Sequence, residues 1–66
     1  MKLEDFTNMT YVEIRIELSK LSKDEIIQFC DENDIPCRKY YSKSKLLDDI
    51  TNQIKSIFIF RRISGK

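Results

Sequence analysis

The residues best suited to chemistry form one short run in the middle of the chain. The run combines four cations, two aromatic rings and a hydroxyl within eight positions: Arg38, Lys39, Tyr40, Tyr41, Ser42, Lys43 and Lys45. Lysine and arginine can neutralise phosphates, and a serine hydroxyl can donate a hydrogen bond to a phosphate oxygen. A tyrosine ring can stack on an unpaired base. The run therefore predicts contacts with a nucleic-acid backbone, DNA or RNA, without a base-specific code.

Charge is also distributed unevenly along the whole chain, with an acidic first half and a basic second half. Residues 1–37 carry nine acidic and four basic side chains, whereas residues 38–66 carry two acidic and eight basic ones. Net charges of −5 and +6 therefore lie behind the formal total of +1. A basic half of this kind is typical of a surface that faces a polyanion, and two Arg residues of the tail, Arg61 and Arg62, are expected to assist.

The same residues have a plainer interpretation, which the sequence leaves open. One of the two tyrosines can plug the small core between helices, with its hydroxyl at the surface. The lysines can belong to a solvated loop that does nothing beyond keeping the domain dispersed in water. Two differently charged solvated faces would also give the observed division of charge.

Length and composition argue against an enzyme. The 66 residues make one domain at most, and so small a domain buries too little surface to enclose a deep substrate pocket. The chain has no histidine and a single glycine, so no nucleophile–base pair or glycine-rich phosphate loop can be proposed. We therefore expect no catalytic residue and no cofactor.

The two cysteines are expected to be free thiols in an intracellular protein. Cys30 falls on an apolar pattern, which predicts a core residue, and Cys37 falls in a loop. With no histidine and no second cysteine pair, a metal site is not expected. No segment resembles a signal peptide or reaches the roughly 20 apolar residues of a membrane helix. We therefore expect a cytoplasmic or nuclear location and no membrane contact.

Two helices are predicted to position the basic run. The first covers residues 22–33, because Ser22 and Glu25 have the spacing of a capping box and an apolar stripe follows them. The second covers residues 43–55, with Ser42 or Ser44 as its N-cap, because leucine and isoleucine then recur at helical spacing. Between them, Pro36 keeps the preceding residue extended.

The flanks of this core, residues 10–18 and 56–63, are ambiguous. The segment "TYVEIRIEL" alternates apolar and polar residues, which favours a β-strand over residues 11–18. Four apolar residues of this region also fit one helical face: Tyr11, Ile14, Leu18 and Leu21. The segment "SIFIFRRI" is similarly rich in β-formers. The expected fold is therefore mainly α, a single domain with a helix–extended loop–helix core over residues 21–55, flanked by two short strands or by helix.

Residues 21–54 resemble the helix–extended loop–helix unit of SAP domains and of the related N-terminal module of the Rho termination factor. "DEIIQFCDENDIP" matches the first helix and its turn, and "SKSKLLDDI" matches the basic residue and the spaced apolar residues of the second helix. The separation of Ile35 from Lys43 suits the longer Rho-type loop. Two glycines of the family pattern are replaced here, by Asp34 and near Tyr41. The resemblance implies a nucleic-acid-binding module.

Two functions follow as hypotheses. The first is a small non-enzymatic module that binds nucleic acid through phosphates. The second is an accessory subunit that docks a larger protein, or a second copy of the chain, through the apolar flanks. In the tail, part of "IFIF" is expected to complete the core and the rest to form an exposed apolar patch.

Overall fold

A computed structural model of the chain describes the backbone of residues 2–64 and the side chains of residues 2–60. A 3₁₀ turn at Leu3–Phe6 precedes three α-helices: α1 (Tyr11–Ser19), α2 (Lys23–Glu32) and α3 (Lys43–Ser64). Residues 2–64 contain no strand. The prediction of a mainly α fold is confirmed, and so is the first predicted helix, which differs from α2 only at its terminal residues.

Capping boxes fix the starts of α1 and α2. The Ser22 Oγ accepts a hydrogen bond from the backbone N–H of Glu25 at 3.2 Å, and the Ser22 N–H donates to the Glu25 carboxylate at 2.9 Å. Thr10 and Glu13 repeat this arrangement at the start of α1, with distances of 3.3 and 2.8 Å. Each box pairs donors that the first turn of a helix otherwise leaves unbonded. The backbone and side chain of Ser22 also lower the pKa of Glu25.

The prediction of a strand over residues 11–18 is wrong, because these residues form α1. Of the four alternating apolar residues, only Ile14 and Leu18 are buried, whereas Val12 and Ile16 are more than half exposed. Residues four apart lie on the same face of a helix, so this division follows the helical period rather than the period of two. Two of the four alternating apolar residues therefore lie in the core and the other two face solvent.

The second flank is helical too, because α3 continues through residues 56–63 rather than ending near residue 55. Ile57 and Phe58 pack against the core, whereas Ile59 and Phe60 are exposed. The expectation that the tail both completes the core and leaves an apolar patch is confirmed for these four side chains. A strand here would have needed a partner strand, and α1 does not supply one.

The helices α1 and α3 run antiparallel, as three contacts along their length show. The Lys43 Nζ donates to the Ser19 carbonyl at 2.9 Å, at the end of α1 and the start of α3. Arg15 forms an ion pair with Asp48 at 2.8 Å, and Lys55 approaches the Met9 carbonyl at 3.5 Å beyond the other end of α1. The helix α1 therefore packs lengthwise against the first half of α3.

One core unites all the elements. Twelve apolar side chains are buried in it: Leu3, Phe6, Ile14, Leu18, Ile26, Phe29, Cys30, Ile35, Leu46, Leu47, Ile50 and Ile54. The rings of Phe6 and Phe29 meet edge to face at 5.8 Å. The prediction that Cys30 is a core residue is confirmed. Among the described residues, no helix is long and apolar enough to cross a membrane.

Candidate functional site

A left-handed residue ends α2 and sets the direction of the segment that follows. Asp34 has a φ of 57°. The Ile35 N–H donates to the Cys30 carbonyl at 2.9 Å, and the Asp34 N–H approaches the Asp31 carbonyl at 3.5 Å. This is the pattern of a Schellman motif, in which glycine is the usual left-handed residue. The chain therefore turns sharply at Asp34.

The segment after this turn is fastened to α3. Ile35 is buried in the core, and Cys37 packs against it. The Gln53 side-chain amide donates to the Pro36 carbonyl at 2.9 Å and to the Asp49 carboxylate at 3.2 Å. The segment that enters the basic run is thus held by a buried side chain and by a hydrogen bond from the middle of α3.

The basic run itself begins with a tight turn over residues 38–41. The Tyr41 N–H donates to the Arg38 carbonyl at 3.0 Å and closes the turn. Lys39 and Tyr40 occupy its two central positions, and both are exposed. Tyr40 has 81% of its surface exposed, more than any other large apolar or aromatic residue of the described part. The turn therefore presents one cation and one aromatic ring to solvent.

Tyr41 is the centre of a cluster, by which we mean Arg38, Lys39, Tyr40, Tyr41, Ser42 and Lys45. It is partly buried and packs against the hydrophobic core, as the plainer interpretation expects of one of the two tyrosines. The Arg38 guanidinium lies 5.5 Å from the centre of the Tyr41 ring and donates to its hydroxyl, and the Lys45 ammonium lies 4.7 Å from the same ring centre. Both charges are in the range of cation–π contacts. Because both distances end at one ring, the two cations are no more than about 10 Å apart.

Ser42 caps α3, which decides between the two predicted caps. Its Oγ accepts a hydrogen bond from the Lys45 N–H at 3.3 Å, and its carbonyl accepts from the Leu46 N–H at 2.9 Å. The basic run thus leads directly into the positive end of a 22-residue helix dipole. Lys43 is directed elsewhere: its ammonium, on the first residue of α3, bonds the last carbonyl of α1.

Few carboxylates offset these cations. Asp48, one turn into α3, is already in an ion pair with Arg15. Asp49 shares a recess of about 230 Å³ with Arg38, Pro36 and Gln53. The hydrogen bond to Tyr41 raises the pKa of Arg38. Within the part whose side chains are described, no ion pair involves Arg38, Lys39 or Lys45.

The structure therefore brings together six of the nine residues that the sequence singled out: Arg38, Lys39, Tyr40, Tyr41, Ser42 and Lys45. Lys43 adjoins them, but its ammonium bonds α1. The side chains of Arg61 and Arg62 lie outside the described residues. Sequence reasoning did not find Gln53, whose hydrogen bond joins residues 17 positions apart, because no local pattern predicts such a contact.

The two cysteines lie side by side but show no metal site. Burial, and then the neighbouring Cys37 thiol, raise the pKa of Cys30 to about 12. Both cysteines are free. Among the described residues, no group of three potential metal ligands was found.

Comparison of the chain with family models, with curated proteins and with solved structures gave no match.

Proposed function

We propose that this protein is a small non-enzymatic module that binds nucleic acid through its phosphate backbone. Its contact surface is the turn over residues 38–41 together with the start of α3. One observation carries the proposal: the side chains of Arg38 and Lys45 converge on the ring of Tyr41. Their separation in the sequence does not by itself require this convergence. Two charges held this closely repel each other, so the arrangement favours an anionic ligand.

Several neighbouring features support an anion at this place. Lys39 adds an exposed cation at the tip of the turn. The free N–H groups in the first turn of α3 add partial positive charge. The order of α2, connecting segment and α3 is also the order that the resemblance to SAP and Rho-type modules implies, and we include that resemblance in the proposal.

Salt dependence of binding tests the proposal. A fluorescein-labelled 12-nucleotide DNA strand would be titrated with the protein by fluorescence anisotropy at 50 and 200 mM KCl. Three phosphate contacts predict that binding weakens about 20- to 40-fold over this range, because each contact releases roughly 0.7 to 0.9 of a counterion. Replacing any one of Arg38, Lys39 and Lys45 by glutamine should reduce the slope of log K against log salt by about one contact.

Lys55→Gln is the matched control. It removes the same charge, but Lys55 lies ten residues beyond Lys45, about 15 Å farther along α3. Its slope should equal that of the wild type. Two results would overturn the proposal: no binding of the strand even at 20 mM KCl, or an equal loss for Lys55→Gln and the three cluster variants.

We also propose a second function, docking of a protein partner, on a separate observation. Val12 and Ile16 lie on one face of α1 and are 62% and 52% exposed, and Ile59 and Phe60 are exposed near the end of α3. Cross-linking in cell extract and light scattering would compare the wild type with Val12→Ser plus Ile16→Ser, after circular dichroism shows that both fold. Loss of a cross-linked partner or of self-association supports docking. Identical partners and a monomer in both proteins would refute it.

A further inference from the structure

The two adjacent tyrosines of the turn have different surroundings. The ring of Tyr41 packs on the core, and Arg38 and Lys45 lie against it. A base that stacked on that ring would have to compete with these contacts. Tyr40, in contrast, is 81% exposed. Of the two rings, Tyr40 is the one with a surface free for a ligand.

Tyr40 is also held in place. The hydrogen bond from the Tyr41 N–H to the Arg38 carbonyl fixes the turn on which Tyr40 sits. Its ring meets the Tyr41 ring edge to face, with centres 5.1 Å apart and planes at 81°. Such edge-to-face pairs are favourable beyond their buried area. Because Tyr41 packs against the core, this contact ties the exposed ring to the rest of the fold.

The surrounding charges suit a strand of nucleotides rather than an isolated ring. Arg38 precedes Tyr41 in the sequence and Lys45 follows it. Their charges lie within about 10 Å of each other in the fold. At no more than this separation the two cations can contact neighbouring phosphates of one strand. A base between those phosphates would come within reach of Tyr40.

From this geometry we propose that Tyr40 is a stacking platform for an unpaired base, so that the ligand of the cluster is single-stranded nucleic acid. The inference rests on the proposed nucleic-acid function and makes it more specific. In a duplex the faces of the bases are covered by their neighbours, whereas in a single strand they are accessible to aromatic side chains. A duplex would meet only the cations of this surface.

An abasic strand separates stacking from phosphate contact. The probes are fluorescein-labelled dT12, an abasic strand of the same length and charge, and a 12-base-pair duplex, all at 50 mM KCl. We expect the wild type to bind dT12 about 5- to 150-fold more tightly than the abasic strand, the range that one stacked base gives. Tyr40→Ala should lose that preference and bind the abasic strand as the wild type does. Tyr40→Phe should keep it.

Proton NMR adds a readout that a structural role for Tyr40 would not move. Stacking should shift the Tyr40 ring protons upfield when dT12 is added, and the abasic strand should not cause this shift. The proposal is overturned if Tyr40→Ala binds dT12 like the wild type, or if the duplex binds more tightly than dT12. In both cases, weakening by Arg38→Gln would leave the nucleic-acid function standing. If no probe binds, both proposals fail.

Discussion

Removing one buried hydroxyl should stabilise this protein. Thr51 lies in the middle of α3 with none of its surface exposed, and its Oγ1 has no hydrogen-bond partner among the residues whose side chains are described. A buried polar group left unbonded costs about 1–3 kcal/mol. Valine has the same branched shape and a similar helix propensity. Thr51→Val should therefore raise the free energy of unfolding by about 1–3 kcal/mol.

Urea denaturation followed by circular dichroism measures this change. The midpoint should rise while the slope m stays constant, because the surface exposed on unfolding is nearly unchanged. In a domain of this size, each kcal/mol also raises the melting temperature by about 4–8 °C.

Thr51→Ser is the matched control, because it keeps the hydroxyl and removes the buried methyl group. It should lose about 1 kcal/mol, close to the burial of one methylene. If Thr51→Val is less stable than the wild type, the hydroxyl must have a partner, such as a backbone carbonyl of the preceding turn or a buried water, and the reasoning fails.

Two further predictions concern the ends of α2. Asp34→Gly should stabilise the fold by about 0.5–1 kcal/mol in the same urea assay, because a left-handed conformation costs a residue with a Cβ more than glycine loses in the unfolded chain. Asp34→Ala should destabilise it, and equal effects of the two changes would contradict this account. Glu25→Gln keeps the capping box but not the charge. Because the pKa of Glu25 is lowered in the folded protein from 4.5, its charge stabilises the fold above that pH, and the stability difference from the wild type should vanish as acidification protonates the folded carboxyl. A difference that grows in acid would contradict the assignment.

The sequence predicted α2 well because its signals are local. Ser22 and Glu25 mark its start, and the apolar stripe and the following Pro36 limit its end. The hydrogen bonds at the start join residues three apart, so a short window of sequence contains them. The same holds for Ser42, which caps α3 through the N–H group three residues later.

The start of α1 also carries a local signal in the sequence. The spacing of Thr10 and Glu13 is that of a capping box, and it marks a helix start as plainly as the spacing of Ser22 and Glu25. The alternation of Val12 and its neighbours conflicts with this signal, because it favours a strand. Alternation predicts a strand only where one face is buried by a sheet partner, and in this fold the helix α3 covers α1 instead.

The composition of the site could be predicted, but its geometry could not. The sequence identified the cations and tyrosines, and it gave equal weight to Tyr40 and Tyr41. Only the packing of the fold distinguishes Tyr41, which lies against the core, from the exposed Tyr40. The position of the Lys43 ammonium depends on a contact with Ser19, 24 residues away, which arises only when α1 lies antiparallel to α3.

The anchoring of the segment between α2 and α3 has a thermodynamic consequence. The Schellman motif fixes one end at Asp34, the Ser42 cap fixes the other, and Gln53 holds Pro36 between them. These contacts restrict the backbone of the segment before a ligand arrives, which lowers the conformational entropy that binding would cost. The same contacts disappear when the chain unfolds, so a ligand of the turn binds the folded protein and not the unfolded chain. At a concentration 100 times its Kd, such a ligand should raise the free energy of unfolding by about 2.7 kcal/mol and so protect the whole protein against heat.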